Sequence, residues 1–328
     1  MTHIDTNIQR YIAPGRRVHL AGIGGVSMSP LAEVLHGMGL AVQGSDQSGS
    51  AAVDHLRSLG ISIHVGHEAS DIEGAEFVVR TAAIHDDNPE IAAARAGGIP
   101  VFERAEAWGA IMRQYENAVC IAGTHGKTTT TSMTTHIFMA AQADPTVMIG
   151  GTLPMLHSGY RVGKGDTIIL ESCEYCNSFL HFFPTVAVVL NVEADHLDFF
   201  KGLEDIKNSF RRFAQLTPPD GHIVANADDP NAMDALKGLP LFTFGCRQGA
   251  DCQAQNLTWN HGRPDFDVVA DGQVYAHLSL HVAGLHNVYN ALAAAAAAYV
   301  LGIPGQAVKD GLEAFSGAGR RFEYKGEY

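Results

Sequence analysis

Short apolar runs alternate with amphipathic stretches along the first hundred residues. "RVHLAG" (17–22) reads as a strand closed by a glycine turn, and a helical periodicity follows from about Ser29 to Gly37. "LAVQGSD" (40–46), "ISIHVG" (61–66) and "AEFVVRT" (75–81) repeat the strand pattern, with a helix over 51–59 between the first two. "NPEIAAARAGG" (88–98) has proline near its start and glycine at its end, the signature of a helix with both termini marked. A second round opens after "RAEAWGAIMRQYEN", with strands expected at 118–122, 167–171, 185–191, 222–226 and 241–244. Helices are expected at 127–142, 203–216 and 287–301, and the division between the two rounds near 103–115. Strands alternating with helices imply α/β architecture with doubly wound, mostly parallel sheets.

Length supports two domains, because 328 residues exceed what one core usually serves. Hydrophobic content of 46% and charged content of 17% suit a folded soluble chain. A net charge of −13 argues against a nucleic-acid partner, since phosphate contacts need a basic surface. The longest apolar run, "NALAAAAAAYVLGI", is Ala-dominated and too short to span a bilayer, so no membrane insertion is expected. The polar start carries no apolar leader core, and five scattered cysteines suggest no disulfide framework; the expectation is a cytoplasmic protein.

Two glycine turns carry candidate chemistry. "GIGGVSMS" (22–29) lies between a strand and a helix and departs from a dinucleotide fingerprint at Ser27, while Asp46 stands where a ribose-binding acid would sit. Its small residues would let backbone amides approach a diphosphate at a helix start. "GTHGKTTTT" (123–131) lacks the early glycine of the usual phosphate loop, Ile121 taking that place, yet runs from strand to helix as such a loop must. Lys127 would reach outer phosphates and Thr128 a Mg²⁺ ion. Four consecutive threonines are poor helix formers, so a functional need for their hydroxyls is the expected reason for them.

Acids cluster after the next apolar strands: Glu171 and Glu174 in "TIILESCE", then Asn191, Glu193, Asp195, His196 and Asp198 in "NVEADHLD". Ligands bind beyond the carboxyl ends of strands in an open parallel sheet, so these groups could hold metal against phosphates. Cys173-x-x-Cys176 allows half a zinc site or a redox pair. His286, Asn287 and Asn290 at the start of the alanine-rich helix allow base or ribose contacts, or simple capping. Of seventeen histidines, only His125 and His196 sit inside motifs.

Taken in order, "AGIGGVSMS", "GSD", "AGTHGKTTTTSM", "NVEADHLD", "GLHNVYNALAA" and "GAGRRFE" resemble the Mur ligases of peptidoglycan precursor synthesis, and among them the alanine-adding type. The resemblance implies an ATP-dependent ligase that joins L-alanine to UDP-N-acetylmuramic acid through an acyl phosphate, with ATP and Mg²⁺ as cofactors. It implies phosphate contacts from Gly123, Thr124, Gly126, Lys127, Thr128 and Thr129. Thr128 and Glu171 would hold a first Mg²⁺, His196 a second, and His125 would face the substrate carboxylate. His286, Asn287, Asn290 and Arg321 would serve the nucleotide. Gly22, Gly24, Gly25, Ser27, Met28, Ser29 and Asp46 would serve the UDP-sugar rather than a nicotinamide cofactor.

The implied division is a Rossmann-like UDP-sugar domain over 1–104, a central ATP-binding domain over 105–318, and a linker over 319–328 to a C-terminal amino-acid-binding domain. Without that third domain, sugar binding with poor turnover is the expectation, in a monomer or weak homodimer. Later family members carry a carbamylated lysine near the position of Phe210, and the missing lysine agrees with the alanine-adding type. A murein-tripeptide ligase shares the motifs. A nicotinamide dehydrogenase would leave the Lys127 loop idle, and a non-catalytic nucleotide-binding module also stays open.

Overall fold

The apolar run at 17–22 becomes β1 (Arg17–Ala21), the middle of a five-stranded parallel sheet. Around it stand β2 (Ala41–Asp46), β3 (Ser62–Val65), β4 (Phe77–Arg80) and β5 (Val101–Glu103), in the order β3-β2-β1-β4-β5. The order reverses direction beside β1, which opens a crevice at its carboxyl end. Four helices wind this sheet: α1 (Met28–Gly37), α2 (Ala51–Ser58), α3 (Pro89–Ala96) and α4 (Arg104–Met112). Local chemistry sets their starts. The Ser50 hydroxyl accepts from the Val53 amide, and the Asn88 side chain accepts from Glu90 and Ile91 ahead of Pro89. The chain divides into two compact units, Met1–Gln114 and Tyr115–Tyr328, of which residues 7–317 are described by this computed structural model. Helix α4, which begins at Arg104 and buries Trp108, therefore belongs to the first unit.

The second unit is built on ten strands: β6 (Asn117–Ala122), β7 (Thr146–Leu153), β8 (Ser158–Arg161), β9 (Thr167–Glu171), β10 (Val186–Val189), β11 (His222–Asn226), β12 (Leu241–Gly245), β13 (Cys252–Asn260), β14 (Arg263–Ala270) and β15 (Gln273–Ser279). Their order is β15-β14-β13-β12-β11-β10-β6-β9-β7-β8. Pairing is parallel from β13 through β7 and antiparallel at both margins. The expected doubly wound, mostly parallel architecture is what forms. The margins are the part that apolar runs did not announce. Strand β14 alternates buried and partly exposed positions over much of its length, so it presents no continuous apolar run.

Helices α5 (Lys127–Ala140), α6 (Leu203–Ala214), α7 (Pro230–Ala235), α8 (Leu285–Val300) and α9 (Gly305–Glu313) complete the unit. The alanine-rich run is α8, and Ala291 through Ala298 are fully buried in the core with Val119, Ile121, Ile137 and Phe244. Among the described residues no helix is long and apolar enough to cross a membrane. Helix α9 lies so close to α5 that a Cβ at Gly311 would sit 2.6 Å from the backbone of Ile137. On the same helix His136 is buried, edge-on to Phe315 with ring centroids 5.4 Å apart, and desolvation lowers its imidazole to about 4.

Two stability predictions follow from this helix pair. Gly311→Ala forces the helices apart and should cost roughly 1–3 kcal/mol in chemical denaturation. His136 titrates below its unfolded value, so its contribution is fully present above the unfolded pKa of about 6.5 and is lost as pH falls toward 4. His136→Leu should flatten the acid limb of a stability-versus-pH curve in that window.

Candidate active site

Parallel pairing sets β6 between β9 and β10, so three carboxyl ends emerge side by side. The loop after β6 is pinned from the β10 side. The Thr124 amide donates to the Asn191 carbonyl at 3.2 Å, the His125 amide donates to Asn191 Oδ1 at 2.8 Å, and Asn191 Nδ2 returns a bond to the His125 carbonyl. The Glu193 amide donates to Thr124 Oγ1 at 2.9 Å. Gly126 caps α5 with φ of 84°, and a Cβ there would lie 2.6 Å from Asn290 Oδ1. Both facts require glycine. The first amides of α5, at Lys127, Thr128 and Thr129, have no carbonyl one turn earlier in the helix, which makes this end an anion site.

Lys127 Nζ is 2.9 and 3.2 Å from the two oxygens of Glu174, and also donates to the carbonyls of Gly123 and Thr124. Thr128 Oγ1 donates to Glu171 Oε1 at 3.2 Å, while the Gly150 amide donates to Glu171 Oε2. Glu171 thus turns one oxygen toward the helix start. A hydroxyl and a carboxylate oxygen in this position are hard donors suited to Mg²⁺. His196 stands apart from this pair, with Nε2 3.8 Å from Glu174 Oε1 and 3.9 Å from Asp195 Oδ2. Among the described residues, Glu174, Asp195 and His196 form the one cluster of three or more His, Cys, Asp or Glu side chains whose ligand atoms lie within 4.8 Å of each other. The Tyr175 ring lies 4.7 Å from the His196 ring, and its hydroxyl donates to Asp198, which holds the phenol above its ordinary range. His125 is exposed, with Glu193 3.5 Å away.

The threonine run divides its labour. Thr128 meets Glu171 and Thr129 lines a cavity, but Thr130 donates to Asn290 and Thr131 to the Lys127 carbonyl, both fully buried. The expectation that function explains all four hydroxyls is corrected: the latter two satisfy packing needs inside the helix. The cavity, of about 1020 Å³, is lined by His125, Gly126 and Thr129 on one side and His286, Asn287 and Asn290 on the other. Asn287 and Asn290 also brace α8, through bonds to the Ala283 carbonyl and to each other. Arg263 and His281 line the same cavity from the antiparallel margin, a contribution that motif spacing did not signal. Cys173 and Cys176 are free and exposed, and neither belongs to a metal-binding cluster among the described residues. Arg321 lies outside the described residues.

In the first unit the glycine turn follows β1. Asp46 Oδ2 accepts from the Gly24 amide at 2.8 Å and Oδ1 accepts from the Ser48 amide, so the acid braces the turn itself. Gly22 and Gly25 donate to backbone carbonyls, which leaves the amides of Val26 and Ser27 with no protein acceptor among the described residues. Met28 is buried in the core, and the Ser29 hydroxyl donates to the Gly25 carbonyl. Arg104, which sequence reading passed over, donates from the start of α4 to Ser27 Oγ and brings a cation to the turn.

Comparison with known proteins places nearly the whole chain in one family. The Mur ligase middle domain matches residues 121–298, and the Mur ligase family catalytic domain matches residues 17–116. The chain is 45% identical over 314 residues to the UDP-N-acetylmuramate–L-alanine ligase of Clostridium novyi, covering 95% of this chain and 68% of that protein. The enzyme of the same name from Caldanaerobacter subterraneus is also 45% identical with the same coverage. The crystal structure of UDP-N-acetylmuramate-alanine ligase from Thermotoga maritima superposes with a TM-score of 0.80 at 31% identity, over 95% of this chain and 71% of that one. A Neisseria meningitidis ligase of UDP-N-acetylmuramate and L-alanyl-gamma-D-glutamyl-meso-diaminopimelate gives 0.81 at 27% identity, over 92% and 98%. By the extent of these matches, the chain belongs to the Mur ligase family.

Proposed function

We propose that this chain joins L-alanine to UDP-N-acetylmuramic acid at the expense of ATP, a step in making a peptidoglycan precursor. The carrying observation is the convergence at three adjacent strand ends: a glycine loop opening α5, Lys127 and Thr128 on that helix, and Glu171 and Glu174 facing them. Identity of 45% with alanine-adding relatives supports the choice of amino acid over a peptide.

In this reading the α5 amides and Lys127 hold the nucleotide phosphates, and the cavity bounded by His286, Asn287 and Asn290 takes the nucleoside. Thr128 and Glu171 would hold a Mg²⁺ ion and His196 would help hold a second, and such ions would supply neutralisation of phosphate charge. A carboxylate oxygen of the sugar's lactyl group attacks the terminal phosphorus of ATP, the bond to the bridging oxygen breaks, and ADP leaves an acyl phosphate behind. The alanine amine then attacks the acyl carbon, an amide forms, and phosphate leaves. His125, exposed within the loop, would face the incoming carboxylate. The Val26 and Ser27 amides, with Arg104, hold the UDP diphosphate on the first unit.

Calorimetry with UDP-N-acetylmuramic acid, and separately with a non-hydrolysable ATP analogue plus Mg²⁺, tests the two sites. Lys127→Ala should weaken the ATP analogue by at least about tenfold while leaving UDP-sugar affinity unchanged; loss of both would refute the two-site assignment. Glu171→Gln should lower alanine-dependent phosphate release by roughly 10²-fold and reduce the Mg²⁺ enhancement of analogue binding. Unchanged Mg²⁺ dependence in that variant would remove Glu171 from the metal.

A further inference from the structure

Glu174 is 2% exposed, yet it is shared between two centres. Both of its oxygens lie on Lys127, at 2.9 and 3.2 Å, and Oε1 also lies 3.8 Å from His196 Nε2 with Asp195 alongside. The Lys127 ammonium has only three N–H donors. Four oxygens crowd it: the Gly123 and Thr124 carbonyls and the two carboxylate oxygens. A phosphate can be received by Lys127 only if one of these gives way. The carbonyls belong to a loop pinned by Asn191, whereas the carboxylate has another possible partner, a cation seated with Asp195 and His196. The His196 imidazole is kept on that side by the Tyr175 ring, itself tied to Asp198. An ammonium and a dication sharing one buried carboxylate would repel each other strongly at this range.

We propose that Glu174 is an exchangeable carboxylate for which Lys127 and a divalent cation compete, so that cation capture by Glu174, Asp195 and His196 releases Lys127 to the nucleotide phosphates. Glu174 is then a positioning residue for Lys127 and a ligand in its own right. The release step rests on the nucleotide site proposed above; the competition itself does not.

Mn²⁺ titration of the full chain without nucleotide, followed by electron paramagnetic resonance, separates the two. Lys127→Met removes the competitor and should bind Mn²⁺ about tenfold or more tightly than the parent chain. Combining it with Glu174→Gln should abolish that gain. If Glu174→Gln fails to give a cooperative thermal transition, Glu174→Asp takes its place and should reduce the gain. No gain in Lys127→Met, or a gain that persists undiminished in the double variant, overturns the exchange. In chelator, Glu174→Gln should bind the ATP analogue several-fold more tightly because Lys127 is freed; unchanged or weaker binding overturns the release step. An intact Mn²⁺ result in a parent chain that binds no ATP analogue would instead overturn the nucleotide-site reading.

Discussion

The site depends on parallel pairing of β6 with β9 on one side and β10 on the other. Parallel strands point their carboxyl ends the same way, so the phosphate-loop candidate, Glu171 and the Asn191–His196 segment are delivered to one edge of the sheet. The register is held by buried side chains on both faces, Val119, Ile121, Ile169, Val186 and Val188 on one and Cys120, Ile168, Leu170 and Val189 on the other. A slip by one residue would turn these side chains outward and carry the acids away from the loop. The chemistry of the strand ends is thus inherited from the packing of the strand middles.

A second constraint is the crowding of α5. Its start meets Asn290 at Gly126, and its far half meets Gly311 of α9 at Ile137. Between these points its hydroxyls bond to its own carbonyls, as Thr131, Ser132, Thr134 and Thr135 all do. Polar residues are tolerated in this buried helix because each hydroxyl has a partner. The helix is therefore a rigid post, and Lys127 and Thr128 stand at its top. The alanines of α8 allow that post to be approached closely from the side that carries Asn287 and Asn290.

Much of this was legible along the chain. The central strands and the helices at 127–142, 203–216 and 287–301 follow from apolar runs and helical period, and they form within a few residues of those spans. The meander at 252–279 was not anticipated because its strands alternate buried and exposed positions, whereas β7 at 146–153 opens with a buried apolar run that two glycines interrupt and that the sequence reading passed over. The site was half legible. Strand-to-loop-to-helix context singled out Lys127 and Thr128, and position after strands singled out the acids. The resemblance paired Glu171 with Thr128, but the place of Glu174 beside Lys127 and His196 was not legible, since it follows Glu171 by three residues and reads alike.

By itself the chain order of apolar runs, glycine turns and strand-end acids determined the doubly wound class and the set of residues from which a site could be built, while the motif strings carried the resemblance to the family. Those features are local, and local sterics and solvation are written in sequence. Only the tertiary structure decided that Glu174 meets Lys127 and His196, that Asp46 braces the glycine turn after β1, and that Arg104 stands at Ser27. Each of these is a contact between residues distant in sequence or facing different ways from one short loop. Their distances are set by how strands and helices pack, and no spacing rule along the chain encodes that.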